Sequence, residues 1–181
     1  MKSKINKESR NLLIALLLGD GTISNNNVFK LSHGYKQKEY LEWKIQKLKD
    51  HGLKNNGLKE YVSNNGFNKG NVVYYTQLSI IPFIKLLRKA VYKTKKVYSH
   101  RQLLNRLNPL GLAIWYMDDG HINIRKSNDK VHGFYIKIAT CLSKEQNQII
   151  IDYFKDVWNI SFYQFKEGKE TYSLCCGTQE G

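Results

Sequence analysis

The chain has 181 residues, 41% of them hydrophobic, enough to pack one domain or two small repeats. Twenty-nine Lys and Arg against 15 Asp and Glu leave a net charge of +14, which favours a polyanionic partner, nucleic acid first. No apolar run reaches the roughly 18 residues of a membrane span, and no P-loop, dinucleotide-binding or esterase motif is present. Cys141, Cys175 and Cys176 form no C-x-x-C pair, and His33, His51, His100, His121 and His132 show no zinc-ligand spacing. With no signal-peptide pattern before Asn6, a reducing, intracellular setting is expected. Hard-metal carboxylate chemistry remains.

The first element is the apolar run Leu12 to Thr22 (LLIALLLGDGT), a helix pattern that closes on Asp-Gly and opens into a strand-like segment. A carboxylate there meets the negative end of the helix dipole, so Asp20 needs a cation or a close partner. Gly21 reads as an ordinary C′ glycine. Val28 to Gln37 alternates like a strand, with Val28, Lys30, Ser32 and Lys36 as its polar-leaning row. Lys38 to Leu53 follows as a helix, its Tyr40, Leu41, Ile45 and Leu48 at helical spacing. Leu58 to Ser63 and Asn71 to Ser79 flank a Gly- and Asn-rich turn and predict a hairpin, and Ile81 to Tyr92 predicts another helix.

The basic segment Lys93 to Arg101 (KTKKVYSHR) separates this half from a second that repeats its order. Residues 1–93 and 109–181 form the two expected repeats, with 94–108 as linker. Gly111 to Ile122 (GLAIWYMDDGHI) is again an apolar helix closing on Asp-Gly, Pro109 fits its first turn, and Asp119 lies 99 positions after Asp20. His121 to Arg125 and Gly133 to Cys141 read as strands, and Lys144 to Asn159 as a helix with Ser143 and Gln146 in a capping box. Phe162 to Lys166 and Thr171 to Cys176 predict a last hairpin. By symmetry with Ile81 to Tyr92 one more helix is expected, which Gly177 to Gly181 is too short to supply.

If the two motif helices pack side by side, Ala15 and Gly19 on one and Gly111 and Ala113 on the other would let their backbones approach. Asp20 and Asp119 would then meet as a hard-metal site for phosphodiester cleavage, one acid for each strand of a duplex. In His121-Ile122-Asn123-Ile124-Arg125 the isoleucines point one way, while His121, Asn123 and Arg125 offer donors to base edges and phosphates. Tyr135 and Lys137 extend that row. Trp43, Trp115 and Trp158 all fall in helix patterns and belong to the core more readily than to a single-strand stacking platform.

Leu13-Ile14-Ala15-Leu16-Leu17-Leu18-Gly19-Asp20-Gly21 and Leu112-Ala113-Ile114-Trp115-Tyr116-Met117-Asp118-Asp119-Gly120 resemble the LAGLIDADG homing endonucleases. The likeness runs from about Asn11 to Cys176 and is greatest to the single-chain, two-motif enzymes encoded in introns and free-standing frames. It implies an α+β fold of two αββαββα repeats, with saddle-shaped antiparallel sheets and the motif helices at the centre. It also implies a site-specific double-strand DNA endonuclease that uses Mg²⁺ or Mn²⁺, acts as a monomer and reads a long asymmetric site. The resemblance makes Asp20 and Asp119 the catalytic metal-binding acids, with Gly19 and Asp118 as adjoining metal positions. Lys96 becomes a lysine near the scissile phosphates, and Lys30, Ser32, Lys36, His121, Asn123, Arg125, Tyr135 and Lys137 become the DNA-binding set. The matching lysine of the second half would follow the absent last helix, which leaves equal cutting of both strands, nicking or binding alone as open outcomes, with exposed apolar surface under the missing helix. An RNA maturase acting on intron RNA, or a nicking or non-cleaving DNA-binding derivative, are the alternative functions.

Overall fold

The computed structural model describes residues 5–64, 66, 69–92, 99–127 and 130–177. It is an α+β chain of two compact units, Met1–Lys96 and Val97–Gly181, each built on a four-stranded antiparallel sheet.

In the first unit, helix α1 (Lys7–Leu18) starts at Asn6, whose side chain accepts from the Ser9 N–H at 2.7 Å. Every residue from Asn11 to Leu18 is buried, so this helix carries no polar face along that stretch. Strands β1 (Thr22–Ile23) and β2 (Phe29–Gly34) form a hairpin, and helix α2 (Lys38–Asp50) follows a 3₁₀ turn at Tyr35–Gln37. Strands β3 (Lys59–Val62) and β4 (Val72–Gln77) form the second hairpin, and β4 inserts beside β2 to give the order β1-β2-β4-β3. Helix α3 (Pro82–Val91) closes the unit, burying Ile84, Leu87 and Val91.

Strand β2 shows how the pleat sorts residues. Phe29, Leu31 and His33 are buried on one face, while Lys30 and Ser32 are half-buried on the other. Leu41, Lys44, Ile45 and Leu48 are the buried row of α2, which packs on β2 and β4. Lys36 sits in the 3₁₀ turn rather than on the strand, so it does not continue the Lys30 and Ser32 row. The chain leaves the sheet at Gly34, where period-2 alternation ends.

The second unit repeats the order. A short helix, α4 (Arg101–Leu104), lies within the segment read as linker. Helix α5 (Pro109–Asp119) has Pro109 in its first turn and Asn108 as cap, accepting from the Gly111 N–H at 2.8 Å. Strands β5 (Gly120–Ser127) and β6 (Lys130–Leu142) pair, helix α6 (Lys144–Trp158) crosses, and β7 (Tyr163–Lys166) pairs with β8 (Tyr172–Gly177). The order β5-β6-β8-β7 matches that of the first unit strand for strand. The Ser143 and Gln146 capping box is formed, and Asn159 ends α6 in the left-handed region at φ 53°.

The core of this unit is aromatic: the Phe154 ring lies 6.1 Å from Trp115, 5.3 Å from Tyr153 and 4.6 Å from Phe162. Burying side chains of this size contributes about 1.5–3 kcal/mol each. Two of its buried polar groups pair, Thr140 Oγ donating to Asn147 Oδ1 at 2.7 Å and the Asn147 amide to the Tyr172 carbonyl at 3.0 Å. Trp115 is fully buried, whereas Trp43 and Trp158 are half-buried. One face of strand β5 is open: Ile122 and Ile124 are 56% and 54% exposed, opposite Ile136 and the similarly exposed Phe134.

Candidate active site and nucleic-acid face

Helix α1 ends at Leu18, and Gly19 caps it through an N–H bond to the Ala15 carbonyl at 3.3 Å. The chain then turns back, the Gly21 N–H donating to the Leu16 carbonyl at 2.8 Å, which leaves Asp20 just beyond the negative end of the helix. Gly21 and Gly120 are not left-handed C′ glycines, because neither has a positive φ. They are required for close approach. A Cβ on Gly21 would lie 2.3 Å from the Leu16 carbonyl oxygen, and one on Gly120 would lie 2.4 Å from that of Tyr116.

The compensation Asp20 needs comes from β2. Buried His33 places Nδ1 3.5 Å from Asp20 Oδ2 and 3.2 Å from Gln37 Oε1. Behind the ring, Lys44 Nζ lies 3.0 Å from His33 Nε2 and 4.3 Å from the Tyr40 ring centroid, with the lysine wholly buried. The Tyr40 ring meets the imidazole edge-on at 5.2 Å. Neither His33 nor Lys44 was among the expected site residues. The signal was present: alternation puts His33 in register with Phe29 and Leu31, and Lys44 falls on the apolar row of α2.

Asp119 is held differently. It is the last residue of α5, one turn beyond Trp115, whose indole N–H donates to Asp119 Oδ2 at 3.1 Å. Asp118 precedes it on the same helix and is half-buried. Carboxylate oxygens at both motif ends are the donor chemistry a hard divalent cation requires.

The sheet faces carry the remaining candidates. Lys30 extends over two tyrosines, its Nζ 4.7 Å from the Tyr75 ring and 4.9 Å from the Tyr61 ring, with Ser32 beside it on the same face. Lys36 is exposed and lies over the Tyr35 ring at 5.8 Å. On the second sheet, His121 is paired across from Lys137 and Asn123 from Tyr135, so these four share a face. His121 is exposed, and the Asn123 side-chain nitrogen is buried without a hydrogen-bond partner. Lys137 pairs with Glu167 and lies 5.2 Å from the Phe165 ring. The hydrogen bond from Lys137 holds the Glu167 carboxyl below its ordinary range. Lys96 and the side chain of Arg125 lie outside the described residues.

Two four-stranded sheets of one topology, each preceded by an apolar helix ending in an acid, define the class. The chain belongs to the LAGLIDADG DNA endonuclease family, whose model matches residues 10–181. Among curated proteins it is similar to a Protein RecA of Mycobacterium shimoidei, 35% identical over 141 residues, 72% of this chain and 30% of that one. A Protein RecA of Mycolicibacterium flavescens is 28% identical over 178 residues, 92% of this chain and 40% of that one. The chain spans about a third of the length of these curated relatives. Among solved structures, its fold matches the homing endonuclease I-WcaI bound to its DNA recognition sequence, at TM-score 0.76 and 20% identity, covering 96% of this chain and 77% of that one. The N-terminal LAGLIDADG domain of DUF199/WhiA aligns at TM-score 0.54 and 12% identity, over 98% of this chain and 77% of that one. No helix among the described residues is long and apolar enough to cross a membrane.

Proposed function

We propose that this chain is a site-specific, divalent-metal-dependent homing endonuclease that hydrolyses both strands of a long asymmetric DNA site as a monomer. The observation that carries the reading is the acid at the end of each motif helix, Asp20 and Asp119, each faced by a nitrogen-bearing ring from its own unit, His33 and Trp115. A protein that only bound DNA would have no need to keep a carboxylate at the negative end of both helices. Asp20 and Asp119 would hold Mg²⁺ or Mn²⁺, with Gly19 and Asp118 adjoining, and the ion when bound would activate water and stabilise the leaving oxygen.

The protein's own residues supply orientation and charge. Trp115 aims the Asp119 carboxylate by donating to one of its oxygens, and the His33 ring faces one oxygen of Asp20. Lys30, Ser32 and Lys36 on the first unit, and His121, Asn123, Arg125, Tyr135 and Lys137 on the second, would track phosphates and base edges. Lys96 would stabilise charge at the scissile phosphate. A matched segment of about a third of each curated relative supports a nuclease module that also occurs inside longer chains.

The test is cleavage of a supercoiled plasmid library of candidate insertion sites in Mg²⁺ by the wild-type chain, Asp20→Asn and Asp119→Asn. Linear product from one site, lost in each variant while DNA binding persists, is the expected result. Nicked product alone points to a strand-specific derivative. Specific binding of DNA or intron RNA with no cut product overturns the endonuclease reading in favour of a binding protein or maturase.

A further inference from the structure

We propose that Lys44 is a positioning residue for Asp20, acting by fixing which nitrogen of His33 carries the proton. The proposal deepens the function above and rests on Asp20 being a metal-binding acid. A lysine with no exposed surface is rare without a dedicated partner, and a ring nitrogen lies 3.0 Å from this ammonium. An ammonium has three donors and no acceptor, so at 3.0 Å from His33 Nε2 it donates and that nitrogen must present its lone pair.

A neutral imidazole then carries its hydrogen on Nδ1. Nδ1 faces two oxygens, Gln37 Oε1 at 3.2 Å and Asp20 Oδ2 at 3.5 Å, both acceptors. One tautomer therefore satisfies both sides of the ring. The other would set an N–H against the ammonium and a lone pair against the carboxylate, losing the bonds at both nitrogens together.

The consequence runs outward from α2 to the end of α1. Lys44, kept in place by the face of Tyr40, accounts for the orientation of the imidazole, and the Nδ1–H gives Asp20 Oδ2 a fixed donor. The carboxylate is thereby aimed before any ion arrives, which is the role a second layer of hydrogen bonds plays at metal sites. Asp119 takes its donor from an indole, which has a single N–H and no tautomer to choose. Lys44 is thus specific to the first motif.

The experiment records long-range ¹H–¹⁵N spectra of the full chain, wild type and Lys44→Met, and the Mg²⁺ concentration that half-saturates DNA cleavage by each. The expected wild-type pattern is a His33 ring protonated at Nδ1 only, shifting toward Nε2 protonation in Lys44→Met. Half-saturating Mg²⁺ should rise about tenfold, within the range such partners contribute, and Lys44→Arg, which restores a buried donor, should recover part of it. A wild-type His33 protonated at Nε2 overturns the proposal, and so does an Nδ1–H pattern unchanged in Lys44→Met. If Lys44→Met does not fold, the wild-type spectrum decides alone. The spectrum needs no catalysis, so an Nδ1–H ring in a chain that cuts nothing upholds the proton placement and refutes the endonuclease reading.

Discussion

Replacing Gly21 with alanine tests whether the turn after α1 is set by contact rather than by backbone conformation. The added methyl would sit 2.3 Å from the Leu16 carbonyl oxygen and 2.9 Å from both the Leu16 carbonyl carbon and Phe29 Cζ, where real Cβ atoms essentially never come within 3.0 Å. The nearest of these is backbone, and that carbonyl also accepts the Gly21 N–H, so relief must move the end of α1 by roughly 0.7 Å. Over-packing of this kind costs about 1–3 kcal/mol. For a chain of this size about 2 kcal/mol is a fall in Tm of about 4–8 °C, read by circular dichroism. Asp20 is the adjoining residue, and a displacement of about 1 Å at a reacting group lowers rate by up to about 100-fold, so plasmid cleavage should fall by more than the stability loss alone explains. Gly52→Ala is the contrast. It sits at φ +68° with nothing within 4 Å, so alanine there meets a conformational cost of about 1–2 kcal/mol and leaves cleavage intact. A Gly21→Ala chain with unchanged Tm and cleavage would refute the reasoning.

Four further outcomes follow from the second unit. Glu167→Gln releases Lys137 for phosphate, so DNA affinity should rise and the slope of log K against log salt steepen by about one unit, measured by fluorescence anisotropy. Because the Glu167 carboxyl is held low, its contribution to stability is complete above the ordinary carboxyl range and is lost as pH falls through its lowered value, so acid melts of Glu167→Gln should be flatter there. Burial pushes the Cys175 and Cys176 thiols up, whereas Cys141 is exposed, so iodoacetamide at pH 8 should label Cys141 first by mass spectrometry. Ile124→Lys together with Phe134→Ser replaces two residues more than half exposed on one sheet face, so stability in thermal melts should change by no more than about 1 kcal/mol.

Local pattern determined the elements and their order. Helical spacing of Leu41, Ile45 and Leu48, the Ser143 box, Pro109 at a first turn and the pairing of β3 with β4 follow from signals contained within a few residues, and each lies where its pattern placed it. The repeat itself was legible as two apolar runs ending in Asp-Gly, because an acid at that end of a helix demands an explanation wherever it occurs. Tertiary structure decided what meets Asp20, whereas Asp119 is met by Trp115 from one turn earlier on its own helix. His33 and Lys44 come from a strand and a helix; the packing of α2 on β2 brings Nζ to the ring, and the place of β2 beside the end of α1 brings the ring to Asp20. The same holds for the pairing of Lys137 with Glu167 and for the exposure of Ile122 and Ile124, which alternation assigns to a face without saying whether that face is covered. Periodicity encodes the side of an element on which a residue lies, while its partner is set by the neighbouring element, and the chemistry of this site is a property of those partners.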